Sequence, residues 1–178
     1  VIATELDVRY PIGKPDIPVV ITNADLQSAV EDLADLPARL AEAIQGLDPA
    51  QLDTPYRQGG WTVRQLVHHI ADSHMNAYVR VRLALTEEAP AVVDYDENAW
   101  AELHDSTTAP VESSLGILTG LHARWASMLN SLDSDQWLRT FVHPKRGPST
   151  IQKATLLYSW HSRHHVAHIT RMRERAGW

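Results

Sequence analysis

Apolar positions recur at three- and four-residue steps over four long stretches of the chain, the spacing of one buried face on an α-helix. The first stretch opens at Thr22–Asn23, good helix-capping residues, and carries Leu26, Val30, Leu33, Leu40, Ile44 and Leu47. Pro37 lies on that stripe and is expected to kink the helix near its middle. The second stretch runs from Trp61 to about Thr86 and turns Leu66, Val67, Ile70, His74, Ala77 and Val81 to one face. The third covers residues 111–132, with Leu115, Leu118, His122, Trp125 and Leu129 inward. The fourth runs from Thr150 to Ala176, with Gly177 as its stop.

Loops separate these stretches. One holds "LDPAQLDTPYRQGG", and another carries Pro90 and a short helical piece in "DENAWAELHD". A third, "SDQWLRTFVHPKRGPS", has room for an extended segment at Thr140–Val142. Strand signals are otherwise nearly absent, so the pattern predicts an all-α four-helix bundle, with connectivity left open between simple up-down and crossover forms. Pro11, Pro15 and Pro18 exclude a helix at the start, and residues 1–21 read as an arm over one domain spanning 1–178.

Composition narrows the function classes. The 178 residues contain 16 Lys plus Arg against 22 Asp plus Glu, a formal net charge of −6, which gives no electrostatic footprint for nucleic acid. No run approaches the ~18 apolar residues of a membrane span. The N-terminus lacks a signal-peptide pattern, so a cytoplasmic location is the expectation. The absence of cysteine removes disulfides, thiolate metal ligands and a cysteine nucleophile.

Histidine is the remaining candidate chemistry: there are ten, and "WHSRHHVAHI" places four of them in residues 160–169. With His161 at zero and about 100° per residue, His165 falls at roughly +40° and His168 at roughly −20°. Leu157, Tyr158 and Met172 share that inward sector, His164 sits at its edge, and Arg163 points nearly opposite. The i, i+4 pair His161 and His165 stacks two rings one turn apart, the spacing at which a helix gives two nitrogens to one metal ion. A third ligand is needed, and "HHIADSH" offers one. Periodicity puts His74 inside the stripe, His69 at its edge and His68 outside, so spacing alone favours His74. Asp72, Asn76 and Arg80 follow His69 at i+3, i+7 and i+11, on a flank where they can bond a ligand or substrate. His122 is a core histidine, a support for the metal site or a general base, while His104 and His143 fall in connectors and read as surface residues. Neither Glu-x-x-His nor His-Glu-x-x-His is present, and there is no glycine-rich phosphate loop or nucleophile elbow.

"YPIGKPDIP", "LYSWHSRHHVAHIT" and the block from "LDTPYRQGGW" to "WAELHDS" resemble the YfiT branch of the DinB-like superfamily, and the likeness runs from Tyr10 to Trp178. These are bacterial four-helix-bundle metal proteins that include proposed metal-dependent hydrolases and bacillithiol S-transferases. The resemblance implies a divalent ion, zinc or nickel, on His69, His161 and His165. That sets aside the spacing preference for His74, which becomes a core or supporting residue. It also implies a homodimer and a small-molecule substrate. Two chemistries are open at this point. In thiol transfer, the slightly preferred one, a low-molecular-weight thiol is bound and activated as thiolate, and Arg80 is better placed than Arg163 to hold its carboxylates. In hydrolysis, the ion lowers the pKa of a bound water towards ~7 for attack on an amide or ester. A non-catalytic, metal-stabilised binding module is the third possibility. Candidate catalytic residues are His74, His122 and Arg80, and candidate cofactor-binding residues are Asn76 and Arg80.

Overall fold

The computed structural model describes residues 7–178, so the first six residues of the expected arm lie outside the described residues. Four long helices make the body: α1 (Asn23–Ile44), α3 (Val63–Thr86), α6 (Val111–Asn130) and α8 (Ile151–Ala176). Four short helices sit in the connections: α2 (Pro49–Leu52), α4 (Glu97–Ala101), α5 (His104–Thr108) and α7 (Ser134–Leu138).

Local chemistry sets the helix ends. Thr22 and Thr62 each accept from the backbone N–H three residues on, and Asp25 and Gln65 reach back to the cap N–H groups. Thr150 caps α8, and Gly177 ends it with a left-handed φ of 73°, a conformation that suits glycine. α1 runs unbroken through Pro37, the position where a kink was expected. Proline leaves the Leu33 carbonyl without its i+4 helical donor, and the buried His122 of α6 donates to that oxygen from Nδ1 at 2.6 Å.

α1 packs on α6 and α8, and α3 packs on the same two helices from the other side. α1 and α3 therefore face each other across the diagonal, as do α6 and α8, and the bundle is not a simple up-down one. The segments 45–62 and 131–150 cross those diagonals. The second contains β1 (Thr140–His143) and β2 (Gly147–Thr150), an antiparallel hairpin where the sequence suggested only one extended segment. Val92 donates to Val142 O and Val142 donates to Pro90 O, so the loop after α3 is tied to this hairpin.

Leu36, Leu40, Leu66, Val67, Ile70 and Ile169 fill one half of the core, and Leu33, Val81, Trp125, Leu129 and Ile151 fill the other. Residues 9–13 lie over α8: Trp160 Nε1 donates to Gly13 O at 3.2 Å, His168 Nε2 faces the Arg9 carbonyl, and Pro11 is buried. Among the described residues no helix is long and apolar enough to cross a membrane.

Candidate metal centre

The hairpin, the loop after α3 and the N-terminal arm enclose a cavity of about 600 Å³ against α3 and α8. Imidazoles from both helices meet on its wall. His161 Nε2 lies 3.4 Å from His69 Nε2 and 3.1 Å from His165 Nε2. One nitrogen from each of the three rings lies within 4.8 Å of the others.

The local fold explains each placement. His161 and His165 are one turn apart on α8, and His69 enters from the second turn of α3. Trp61, just ahead of the cap residue Thr62, packs its ring 4.6 Å from that of His69. Burial holds His69 down to about 4, and it holds His161 and His165 well below the usual histidine range. All three rings are therefore neutral near pH 7 and can offer lone pairs.

Hydrogen bonds fix where those lone pairs point. His168 Nε2 faces the Arg9 carbonyl at 3.3 Å, which can only accept, so the His168 proton sits on Nε2 and its Nδ1 is bare. His165 Nδ1, 3.3 Å from that atom, must then be the donor, which leaves His165 Nε2 bare and aimed at the cluster. On the other side His161 Nδ1 lies 3.1 Å from His74 Nε2. His161 can donate there and present its Nε2 as well. Tetrahedral ligands at zinc–nitrogen distances are separated by about 3.3 Å, close to the observed spacings. A donor set of three neutral imidazoles suits zinc, nickel, copper and iron alike.

A second trio, His164, His165 and His168, also has atoms within 4.8 Å. There the His168 Nδ1 lone pair is already taken by the His165 Nδ1 proton.

The remaining candidates separate by position. His74 is fully buried behind His161, its Nε2 meeting His161 Nδ1, the nitrogen of His161 opposite the cluster. His122 is fully buried and bonded to α1, off the cavity. His74 Nδ1 and His122 Nε2 are both buried without a hydrogen-bond partner, with their rings 5.0 Å apart. Asn76 does not line the cavity, because its amide turns back to the Asp72 carbonyl at 2.9 Å. Arg80 does line it.

Two surface assignments are corrected. His143 is buried on the cavity wall, facing Asp94, because the hairpin folds inward. His68, expected outside the stripe, is buried: its Nε2 donates to Ala109 O at 3.2 Å, and the Ser114 hydroxyl lies 2.7 Å from its Nδ1. The segment between α3 and α6 covers that face. Residues missed in the sequence include Trp61, Ser73, Tyr95 and Arg146, all on the cavity wall. Tyr95 and Arg146 lie in connectors, where no periodicity points. Ser73 stands one turn after His69 and could have been found from that spacing.

The sequence pattern of the DinB superfamily matches residues 32–169. A protein of Bacillus mycoides (strain KBAB4), whose name proposes a metal-dependent hydrolase, is 51% identical over 172 residues, covering 97% of this chain and 99% of its own. The solved structure of YfiT from Bacillus subtilis, described as "a probable metal-dependent hydrolase with an unusual four-helix bundle topology", is 48% identical. It superposes with a TM-score of 0.93 over 96% of this chain and 98% of its own. TT2238, described as a four-helix bundle protein, is 21% identical with a TM-score of 0.54 over 79% of this chain and 94% of its own, a likeness of fold alone.

Proposed function

The chain belongs to the DinB superfamily, and from that premise we propose that it is a metal-dependent enzyme acting on a small organic molecule, with a zinc or nickel ion held by Nε2 of His69, His161 and His165. The observation that carries this reading is the convergence of three neutral imidazoles, with His165 Nε2 left bare by the bond from its own Nδ1 to His168. A bound divalent ion supplies Lewis acidity towards a carbonyl oxygen or a thiol.

The chain's own residues do the rest. His74 and His168 accept from the Nδ1 atoms of His161 and His165, orienting both rings and raising their basicity. Trp61 and Tyr158 pack against His69 and His161 and narrow access for water. Burial pushes the Tyr95 phenol up to about 12, so it keeps its proton and can donate to a substrate oxygen.

Hydrolysis of an amide or ester is the first reading, supported by the names of the relatives. Transfer of a low-molecular-weight thiol is the second, favoured by the position of Arg80 on the cavity wall. Homodimer assembly belongs to the same proposal and is checked by light scattering.

The deciding experiment assays zinc- and nickel-loaded protein in parallel on an ester and amide panel and on monochlorobimane with bacillithiol, mycothiol, glutathione or cysteine. Hydrolysis without thiol dependence supports the first reading, and thiol-dependent conjugation alone replaces it with the second. Turnover in neither arm points to a binding module.

A further inference from the structure

Arg80 is unusual within the cavity. The residue is only 8% exposed, and Nη2 donates to the Val93 carbonyl at 2.8 Å. Its Nε is buried with no partner. Among the described residues no carboxylate pairs with it: Asp94, the residue after Val93, is engaged by Lys145 Nζ at 2.8 Å and by His143 Nε2 at 3.4 Å. Burying a guanidinium without a counter-charge is costly, and a fold keeps such a group where a ligand supplies the charge.

The surroundings agree. Arg57 and Arg146 line the same cavity and also have no carboxylate partner among the described residues, in a chain whose formal net charge is −6. The Arg57 Nε, like that of Arg80, is buried without a partner. Of the acids on this wall, Asp94 is paired and Glu97 is exposed.

We propose that Arg80 forms an oxyanion subsite beside the three histidines, so that the molecule bound there carries a carboxylate or phosphate group. The inference rests on the metal-dependent reading above and narrows its substrate class. A planar guanidinium can match two oxygens of either group with two of its N–H donors, and seating the anion there would place the rest of the molecule in the histidine-lined cavity.

Isothermal titration of the zinc-loaded and zinc-free protein with succinate, inorganic phosphate and the neutral control succinamide tests this. Saturable binding of succinate or phosphate but not of succinamide is expected, weakened about tenfold or more in Arg80→Gln. Arg80→Lys, which keeps the charge and loses the fork, should fall between the two. Whichever anion binds assigns the acidic group. The metal content of each variant is measured on the same samples, and Arg80→Gln is expected to keep wild-type zinc. Should Arg80→Gln fail to fold, Arg80→Lys decides: undiminished binding there overturns the fork. Absence of binding by either anion to the wild type, or equal binding to folded Arg80→Gln, overturns the subsite while leaving the metal reading intact. Anion binding by a wild type that takes up no zinc sustains the subsite and removes the metal reading.

Discussion

Replacing His122 with leucine isolates the bond that carries α1 through its proline. The His122 Nδ1–H reaches the Leu33 carbonyl at 2.6 Å, and both residues are fully buried. Leucine fills much of the imidazole's volume but leaves that oxygen without a donor, at a cost of about 1–3 kcal/mol. For a chain of this length each kcal/mol moves Tm by about 2–4 °C, so a loss of about 2 kcal/mol lowers it by about 6 °C. The bond is expected to be coupled to Pro37. In a Pro37→Ala background the introduced alanine has a backbone N–H that can take the Leu33 carbonyl as its i−4 partner, and His122→Leu should then cost about 1 kcal/mol less than in the wild type. Urea unfolding of the metal-free proteins by circular dichroism, arranged as a double-mutant cycle, measures the difference. Equal costs of His122→Leu in both backgrounds would mean that the His122–Leu33 bond is not coupled to Pro37.

Acidification should destabilise the metal-free protein. Burial holds His122, His69 and His164 at about 4 against an ordinary 6.5. The unfolded chain therefore takes up protons first, and stability present above pH ~6.5 is lost as pH falls towards ~4, by on the order of 3 kcal/mol for the fully buried His122. Asp72, raised to about 6 by burial, works the other way and gains stability as pH falls through that value, but it is one group against several histidines. A urea midpoint that does not fall between pH 7 and 4 would show that these rings are not held neutral. His74→Ala removes the acceptor for His161 Nδ1 and should weaken zinc binding about 10- to 100-fold. His74→Gln, whose amide oxygen can accept the same bond, should recover part of the affinity, and no difference between the two variants counts against the positioning role. Gly60→Ala would set a Cβ 2.7 Å from Arg57 Cγ and 3.2 Å from Tyr56 Cζ, next to Trp61. Thermal melts should show a loss of about 1–2 kcal/mol, and an unchanged melt would mean that the loop yields freely.

The helices were legible because each long one carries its own apolar stripe, and Thr22 and Thr150 mark the starts of the first and the last. The diagonal connectivity was not, since helix periodicity says which face is buried but not which neighbour buries it. The same distinction governs the site. His161 and His165 stand out as an i, i+4 pair on the inward face of α8. His69 sits at the edge of its stripe because it faces a cavity, so spacing passed it over for His74, and resemblance to a family brought it in. His74 does meet His161, but through the far nitrogen, a difference of about one ring width that periodicity cannot resolve. His68 and His143 looked exposed because the segments that bury them, around α5 and in the β1–β2 hairpin, carry no regular pattern.

The proposed metal site places one divalent ion on His69, His161 and His165. Zinc content measured by mass spectrometry on purified, zinc-equilibrated wild type, His69→Ala, His161→Ala and His74→Ala tests it directly. About one ion per chain is expected in the wild type and none at stoichiometric level in His69→Ala or His161→Ala, with His74→Ala still reaching one ion at higher zinc concentration. Full occupancy in His69→Ala together with its loss in His74→Ala would move the third ligand from His69 to His74.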